Sequence, residues 1–380
     1  MTLELNTINT LNFFLMVGVV QGFIVSGLLF LKAPRRSANR LLAFWILLLA
    51  LSNLQIVINT SLLYKVLGQR FTLLAPLSLN LFFGPLIWLF CQKATTDSSL
   101  RRSKYLWHLV PGLLEFLYYL LIYIQPLAFR QQFYGAVHWR YIEPALEVVA
   151  TASFLFYLTQ SLGILREYGL RLRASYSDPN METYGWLQKL LRFLCLFSLI
   201  WLVLTVVDVF FMGYQLPYLY FYPYYFLIAY LSYFIGFSNY YRSPAIVPAL
   251  PKPVKTTKAM LSDQQMETFK EQLTHLMDAQ RLYLNSSLRA QDVAKALGTN
   301  VQTLSYVLNQ GLNVSFHDFI NQLRVDHVKS CLNTTDLGHL SLLGIAKESG
   351  FNSESSFYRI FKKFTGLTPK GYLKSREKLD

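Results

Sequence analysis

Long apolar runs alternate with short polar segments over residues 1–240. A helix rises 1.5 Å per residue, so about 20 apolar residues cross a hydrocarbon core of about 30 Å. Runs of this length cover residues 11–31, 41–59, 71–92, 105–125, 142–165, 190–213 and 217–239. They are apolar all round, whereas the helices of a soluble core would be apolar on one side only. The pattern therefore predicts seven membrane-spanning helices, and the polar stretch after Lys32 argues against a cleaved signal peptide.

Residues 287–310 have the pattern of a helix, a tight turn and a second helix. Ala294 is small where another helix must cross closely, Gly298 suits the turn, and Asn300 suits the N-cap that follows. The 3.6-residue period predicts the exposed face of the second helix, which comprises Gln302, Ser305, Tyr306 and Asn309. Such a polar face fits a DNA groove.

The same layout returns at residues 342–363. Ala346 and Gly350 repeat the spacing, and Ser353 can cap a helix whose apolar face is centred on Phe357. The predicted exposed face comprises Glu354, Ser355, Tyr358, Arg359 and Lys362. An amphipathic helix from Ser315 to about Leu332 lies between the two units, and it can hold two recognition helices about one DNA turn, roughly 34 Å, apart.

Charge separates the two halves of the chain. Lys and Arg number 35 against 21 Asp and Glu, a net +14, and only 15% of residues are charged, against about 25% in an ordinary soluble domain. Residues 1–240 hold 17 basic and 9 acidic residues, and the remainder hold 18 and 12. Between the halves, the Pro-rich, basic segment 241–260 is typical of a semi-rigid linker.

The loop charges predict the orientation of the spans. The loops after the first, third and fifth spans contain Lys32, Arg35, Arg36, Arg40, Lys93, Arg101, Arg102, Lys104, Arg166, Arg171, Arg173 and Lys189. The alternate loops contain only Lys65, Arg70, Arg130 and Arg140. Because basic loops stay in the cytoplasm, this asymmetry places the N-terminus outside and the C-terminus inside.

The C-terminal pattern resembles the AraC/XylS family of bacterial transcription regulators over residues 283–374. The diagnostic positions here are Ile345, Ala346, Gly350, Phe351, Ser353, Phe357, Arg359, Phe361, Lys362, Lys363, Gly366, Thr368, Pro369 and Tyr372. The resemblance implies a seven-helix domain whose two recognition helices enter successive major-groove segments on one face of DNA. Leu373 departs from the family, which commonly has Arg there. A seven-span domain placed before such a domain also looks like membrane-bound regulators of this type.

Carried over by position, the resemblance assigns base contacts to Gln302, Ser305, Tyr306, Glu354, Ser355 and Arg359. Arg359 suits a bidentate contact to guanine, although an exposed salt bridge is the alternative. Lys362 and Lys363, with Lys370 and Lys374, suit phosphate contacts, which hold register without carrying sequence information.

Ionisable residues inside the predicted spans are candidates for a ligand pocket because they are costly in a bilayer. They are His108, Glu115, Glu143, Glu147 and Asp208. Together with the aromatic residues that begin the seventh span, they suit a cationic or amphipathic ligand. The alternative is that the acids cap helix ends and the aromatic residues form an interfacial belt.

Motifs for catalysis are lacking: there is no HExxH, no Gly-x-Ser-x-Gly and no Gly-rich phosphate loop. Cys91, Cys195 and Cys331 are far apart and suit neither disulfides nor a metal site. We therefore expect no enzyme, no catalytic residues, no metal and no cofactor.

The sequence predicts an all-α protein with three parts: a seven-span sensor (1–240), the linker (241–260) and a double helix-turn-helix domain (261–380). We expect a transcription regulator in the bacterial cytoplasmic membrane. Its expected partners are double-stranded DNA, the lipid bilayer, a signal ligand and a second copy of the chain. The alternative is a transporter or channel whose C-terminal domain no longer binds DNA.

Overall fold

The protein is described from a computed structural model. It describes residues 2–34, 38–60, 68–77, 79–95, 105–177, 181–213, 216, 218–241, 261–334 and 341–376. Every regular element in these ranges is helical, which confirms the predicted all-α fold, and one isolated bridge pairs Tyr176 with Arg289. Outside the described residues lie linker residues 242–260 and the loop cations Arg35, Arg36, Lys65, Arg101, Arg102 and Lys104.

The chain divides into two compact units. One comprises residues 1–166 and 185–249, and the other comprises residues 167–184 and 250–380. The sequence pattern assigned residues 167–184 to a loop of the membrane half. They belong instead to the C-terminal unit, because Ser177 is buried there among hydrogen-bonding partners.

The helices of the first unit include two that run on into the second, α7 and α8. In chain order they are α1 (Thr2–Lys32), α2 (Ala38–Thr60), α3 (Gln69–Thr72), α4 (Phe83–Thr95), α5 (Val110–Tyr123), α6 (Leu127–Phe133), α7 (Glu143–Ser175), α8 (Met181–Phe211) and α9 (Tyr222–Tyr241). Among the described residues, four stretches are long and apolar enough to cross a membrane by length and composition. These are Ile8–Lys32, Ala38–Thr60, Leu127–Ser175 and Leu187–Phe211. The count of seven spans stays a prediction.

The third predicted span is not one helix. The chain leaves α3 after Thr72 and resumes helical structure only at a 3₁₀ turn, Asn80–Phe82, which leads into α4. Buried side chains bond the backbone groups that this break frees. Arg130 donates to the carbonyl oxygens of Arg70 (2.7 Å) and Leu73 (2.9 Å). The prediction of a single helix was wrong because such bonds from distant residues remove the cost of a break in apolar surroundings.

The segment before the fifth predicted span is also helical rather than an open loop. α6 passes through a π-helical stretch, Tyr134–Ile142, directly into α7, so that helical structure is continuous over Leu127–Ser175. Arg130, which the sequence pattern placed in a loop, is buried within this helical region.

Close contacts between small residues bring α1, α2 and α9 together. A Cβ atom on Gly22 of α1 would lie 2.8 Å from the Ala50 Cβ of α2, and one on Gly18 would lie 2.5 Å from the Ala229 Cβ of α9. Near the same helices, Asn12 Oδ1 accepts hydrogen bonds from Tyr222 (2.8 Å) and Thr60 (3.1 Å). Small residues and interhelical hydrogen bonds are the usual means of packing helices in a bilayer.

The second unit contains the predicted double helix-turn-helix arrangement. Its helices are α10 (Asp263–Gln280), α11 (Ala290–Ala296), α12 (Val301–Tyr306), α13 (Phe316–Thr334), α14 (Leu342–Glu348), α15 (Glu354–Thr365) and α16 (Pro369–Arg376). α13 serves two cores: Phe316 and Ile320 pack with α10, α11 and α12, whereas Val325 and Val328 pack with α14 and α15.

The two turn glycines provide a test of this packing. Both have left-handed backbones, with φ of 67° at Gly298 and 88° at Gly350. A Cβ on Gly350 would lie 2.6 Å from the Tyr283 carbonyl oxygen, whereas one on Gly298 would meet nothing within 4 Å. Gly298→Ala should cost about 1–2 kcal/mol from backbone strain alone, and Gly350→Ala about 2–5 kcal/mol because crowding is added. Hydrogen exchange of the full chain measures both, and equal losses would contradict the packing described here.

Candidate nucleic-acid interface and a cavity among the apolar helices

The first helix-turn-helix unit is built from α11 and α12. Asn300 caps α12 as predicted, because its side chain accepts the Thr303 N–H at 2.9 Å. Val293, Ala294 and Leu304 are buried between the helices. α12 continues as a π-helical turn, Val307–Gly311, so the recognition element is longer than the α-helix alone.

The second unit is built from α14 and α15. Ser353 caps α15 by accepting the Ser356 N–H at 3.2 Å, as predicted, and Gly366 ends the helix with φ of 76°. Phe357, Ile360 and Phe361 are buried on one side. The opposite side is therefore held towards solvent over three helical turns.

Most of the predicted DNA-contacting side chains are accessible. Exposed in their respective units are Gln302, Tyr306, Glu354, Ser355, Arg359, Lys362 and Lys363. Ser305 is half-buried and accepts a hydrogen bond from Asn309 at 3.1 Å. Each helix-turn-helix unit thus has one solvent-exposed polar face, on α12 in the first unit and on α15 in the second.

Lys363 differs from the other predicted phosphate contacts because it already has an acidic partner. Its Nζ atom lies 2.6 Å from Asp318 Oδ1 on α13. Burial disfavours the charged carboxylate, but the hydrogen bond and charge of Lys363, with smaller contributions from His317 and Ser315, keep the pKa of Asp318 below its usual value. The pair ties the second recognition helix to the connecting helix, and a phosphate would have to compete with Asp318 for Lys363.

A cavity of about 630 Å³ lies among the apolar helices of the first unit. Its walls include four of the five predicted pocket residues, Glu115, Glu143, Glu147 and Asp208. Residues that the sequence places far apart, on α5, α7 and α8, are therefore brought to one space. None of the described lining residues is Lys or Arg.

Two of these acids also bond backbone groups. Glu115 accepts the N–H groups of Asn80 (3.2 Å) and Leu81 (2.9 Å), which fixes the start of the helical segment after the break in the third run. Asp208 accepts the Leu216 N–H at 3.1 Å, at the end of α8. Glu115 and Asp208 therefore bond backbone N–H groups near helix ends, which is the alternative role considered above for the acids.

His108 does not line the cavity, and a histidine that the sequence pattern did not single out does. His108 Nδ1 lies 2.8 Å from the Tyr157 hydroxyl. His138, in the π-helical stretch, is 1% exposed and places Nε2 2.7 Å from Glu143 Oε2. The segment around His138 is polar and contains Arg140, so it has no apolar period that would mark His138 as buried. The one sequence feature that could have indicated the pair is that His138 lies five residues before Glu143.

Aromatic rings form another wall of the cavity. Trp201 of α8 and Tyr224 of α9 stack with centroids 4.0 Å apart, and both line the space. Carboxylates and aromatic faces thus surround the same volume.

Comparison with known proteins identifies a sequence family for part of the C-terminal unit. Residues 293–375 match a sequence family described as a helix-turn-helix domain. This match confirms the AraC-type domain expected from the sequence. It lies entirely within the second unit.

Individual proteins similar to this chain are also described as regulators. An HTH-type transcriptional regulator of Staphylococcus aureus (strain COL) is 30% identical over 123 residues, which are 32% of this chain and 15% of that protein. The melibiose operon regulatory protein of Escherichia coli (strain K12) is 31% identical over 90 residues, which are 24% of this chain and 29% of that protein. The chain thus covers less than a third of either relative. No solved structure matches.

Proposed function

We propose that this chain is a one-component transcription regulator integrated in the bacterial cytoplasmic membrane. The main support for this proposal is that a helix-turn-helix domain and helices long and apolar enough to cross a bilayer occur in one chain. In this proposal seven spans sense a signal, and the C-terminal domain binds promoter DNA in the cytoplasm. The domain is typical of regulators that have no enzymatic activity.

The proposed orientation rests on the sequence. The loops that the sequence predicts hold twelve basic residues on one side against four on the other, which favours a cytoplasmic C-terminus. A DNA-binding domain needs that same compartment, so the two arguments agree although they use different residues. A tethered pair of chains would present four helix-turn-helix units to one operator and would raise their effective concentration there.

In the proposed complex, the exposed faces of α12 and α15 enter the major groove. Arg359 would bind guanine in a bidentate manner, and Gln302 and Glu354 would contact other base edges. Lys362 would contact phosphate, which is independent of sequence. Lys363 would do so only after leaving Asp318.

Arg359→Ala and Lys362→Ala should have different effects, because one side chain reads a base and the other a phosphate. Arg359→Ala should lose about 1–3 kcal/mol of discrimination at one operator position. Lys362→Ala should weaken binding to all sequences and reduce the salt slope by about 1. The measurement is the affinity of the full chain in lipid nanodiscs for matched and mismatched duplexes at several salt concentrations.

Glu267→Ala is a suitable control, because this exposed residue of α10 lies outside both recognition helices. It should change neither quantity. If the wild-type chain failed to bind any duplex at low salt, the alternative of a transporter or channel with a non-binding C-terminal domain would replace the proposal.

For the sensing half, we propose that the cavity binds an organic cation. The support is its lining: Glu143, Glu147 and Asp208 provide negative charge, and the stacked Trp201 and Tyr224 provide aromatic faces for cation–π contact. Its volume of about 630 Å³ lies within the range of about 300–1,000 Å³ that is usual for small-molecule sites.

Neutralising two of the acids tests this site. Glu147→Gln with Asp208→Asn removes two of the negative charges that would attract a cation. The double variant should therefore bind tetraethylammonium or tetraphenylphosphonium at least tenfold more weakly, a loss of about 1.4 kcal/mol in binding free energy. The side-chain amide introduced at position 208 keeps an oxygen that can accept the Leu216 N–H, so the local fold should survive. The measurement is calorimetric titration of the full chain in nanodiscs.

The matched control is Glu167→Gln, an exposed acid further along the same helix α7 that pairs with Arg171. It should bind either cation as the wild type does. Equal affinities in the double variant and the wild type would exclude these acids as the cation site.

A further inference from the structure

A two-residue segment of the C-terminal unit comes from the middle of the chain. Tyr176 and Ser177 directly follow α7, yet Ser177 is fully buried, at 0% exposure, beside residues more than 100 positions later. This segment, residues 176–177, is called the latch below. Its surroundings belong to the first helix-turn-helix unit and to the connecting helix α13.

On one side the latch lies along the backbone that leads into α11. Ser177 donates two hydrogen bonds to the Leu288 carbonyl oxygen, from its N–H (3.2 Å) and its hydroxyl (2.8 Å). Tyr176 pairs with Arg289 in an antiparallel bridge, and the Arg289 guanidinium lies 5.7 Å from the Tyr176 ring centroid. Backbone pairing of this kind fixes both position and direction.

On the other side three polar side chains of α13 converge on Ser177. His317 Nδ1 and Asn321 Nδ2 each donate to the Ser177 carbonyl oxygen at 2.7 Å, and Arg324 Nη2 donates to its hydroxyl at 3.0 Å. Their positions, i, i+4 and i+7, share one helix face. All three are buried, with exposures of 5%, 0% and 0%.

Burial of three such side chains is costly unless their donors are paired. The latch provides acceptors for all three at once, including the guanidinium of Arg324, which is always charged. A backbone carbonyl and a hydroxyl in this geometry are what an extended peptide segment offers. The face of α13 is therefore built to receive a peptide rather than to pack against an apolar helix.

Arg324 links this site to the rest of the domain. Its Nε donates to the Tyr283 carbonyl at 2.7 Å, and its Nη2 also donates to the Asn285 carbonyl at 2.8 Å. α13 carries core residues of both helix-turn-helix units. A change at the latch therefore acts on the helix that sets the spacing between the two recognition helices.

We propose that Leu288, His317, Asn321 and Arg324 form an intramolecular peptide-docking site whose occupant is the latch, and that the latch transmits changes in α7 to the double helix-turn-helix domain. The docking stands on its own contacts, whereas the transmission rests on the proposed function. The cavity residues Glu143 and Glu147 lie on α7, and this same helix ends at Ser175, one residue before the latch.

Disulfide formation in the full chain tests the docking. Paired residues of an antiparallel bridge have Cα atoms about 4.5–5.5 Å apart, which suits a disulfide. Arg289 is exposed and Tyr176 is half-buried, so Tyr176→Cys with Arg289→Cys should fold. Mild oxidation of membranes should link the two cysteines in most chains, as detected by mass spectrometry of the joined peptides.

Two comparisons control this result. Either cysteine alone should give no such link between these positions. Adding Ser177→Ala should slow the linkage at least threefold because two hydrogen bonds are lost, whereas Ser175→Ala on the last residue of α7 should not. Absence of the link in folded double-cysteine protein would overturn the docking.

Transmission is tested on the same protein by comparing oxidised and reduced samples. Locking the latch should change the affinity for duplex DNA at least threefold, and the single-cysteine variants should show no change. Equal affinities would overturn the transmission. Failure of every sample, including the wild type, to bind DNA would instead contradict the proposed function, while the linkage would still decide the docking.

Discussion

The structure depends on one constraint: backbone polar groups freed where a helix ends or breaks must find partners without water. In the apolar unit, buried side chains provide these partners over long sequence distances. Glu115 holds the N–H groups of Asn80 and Leu81, and Arg130 holds the carbonyls of Arg70 and Leu73. An unpaired backbone group in apolar surroundings is costly, so these contacts permit the interruption between α3 and α4.

In the C-terminal unit, the N–H groups freed at helix starts are paired locally by exposed caps. Ser262, Asn300, Ser341 and Ser353 each accept an N–H group three residues later, at the start of α10, α12, α14 and α15. Because these caps act within one turn, they leave the outer faces of α12 and α15 free. At the centre of the domain, the carbonyl groups of Tyr283 and Asn285 are instead bonded by Arg324, which is distant in sequence, and there the latch also contributes.

This difference explains what could be predicted from the sequence. The double helix-turn-helix arrangement was predictable because caps, turn glycines and apolar periodicity are local signals, and the all-α fold followed from them. The interruption after Thr72 was missed although Pro76 lies within it, since apolar composition outweighed one proline. Ser177 was missed because its partners Leu288 and Arg324 are 111 and 147 positions away. His138 was missed because its segment has no apolar period, although its partner Glu143 is only five positions away. Five ionisable residues were singled out by the cost of charge in apolar surroundings, and the fold brings four of them, but not His108, to one cavity.

The central claim, that one chain spans the membrane and binds DNA on its cytoplasmic side, is tested most directly with sealed vesicles of opposite orientation. Inside-out vesicles that contain the full chain should bind duplex DNA, with affinity that falls steeply as salt rises because bound counterions are released. Right-side-out vesicles from the same cells should bind none until they are opened. Equal binding by both orientations, or release of the protein from the membrane by alkaline carbonate, would contradict the account.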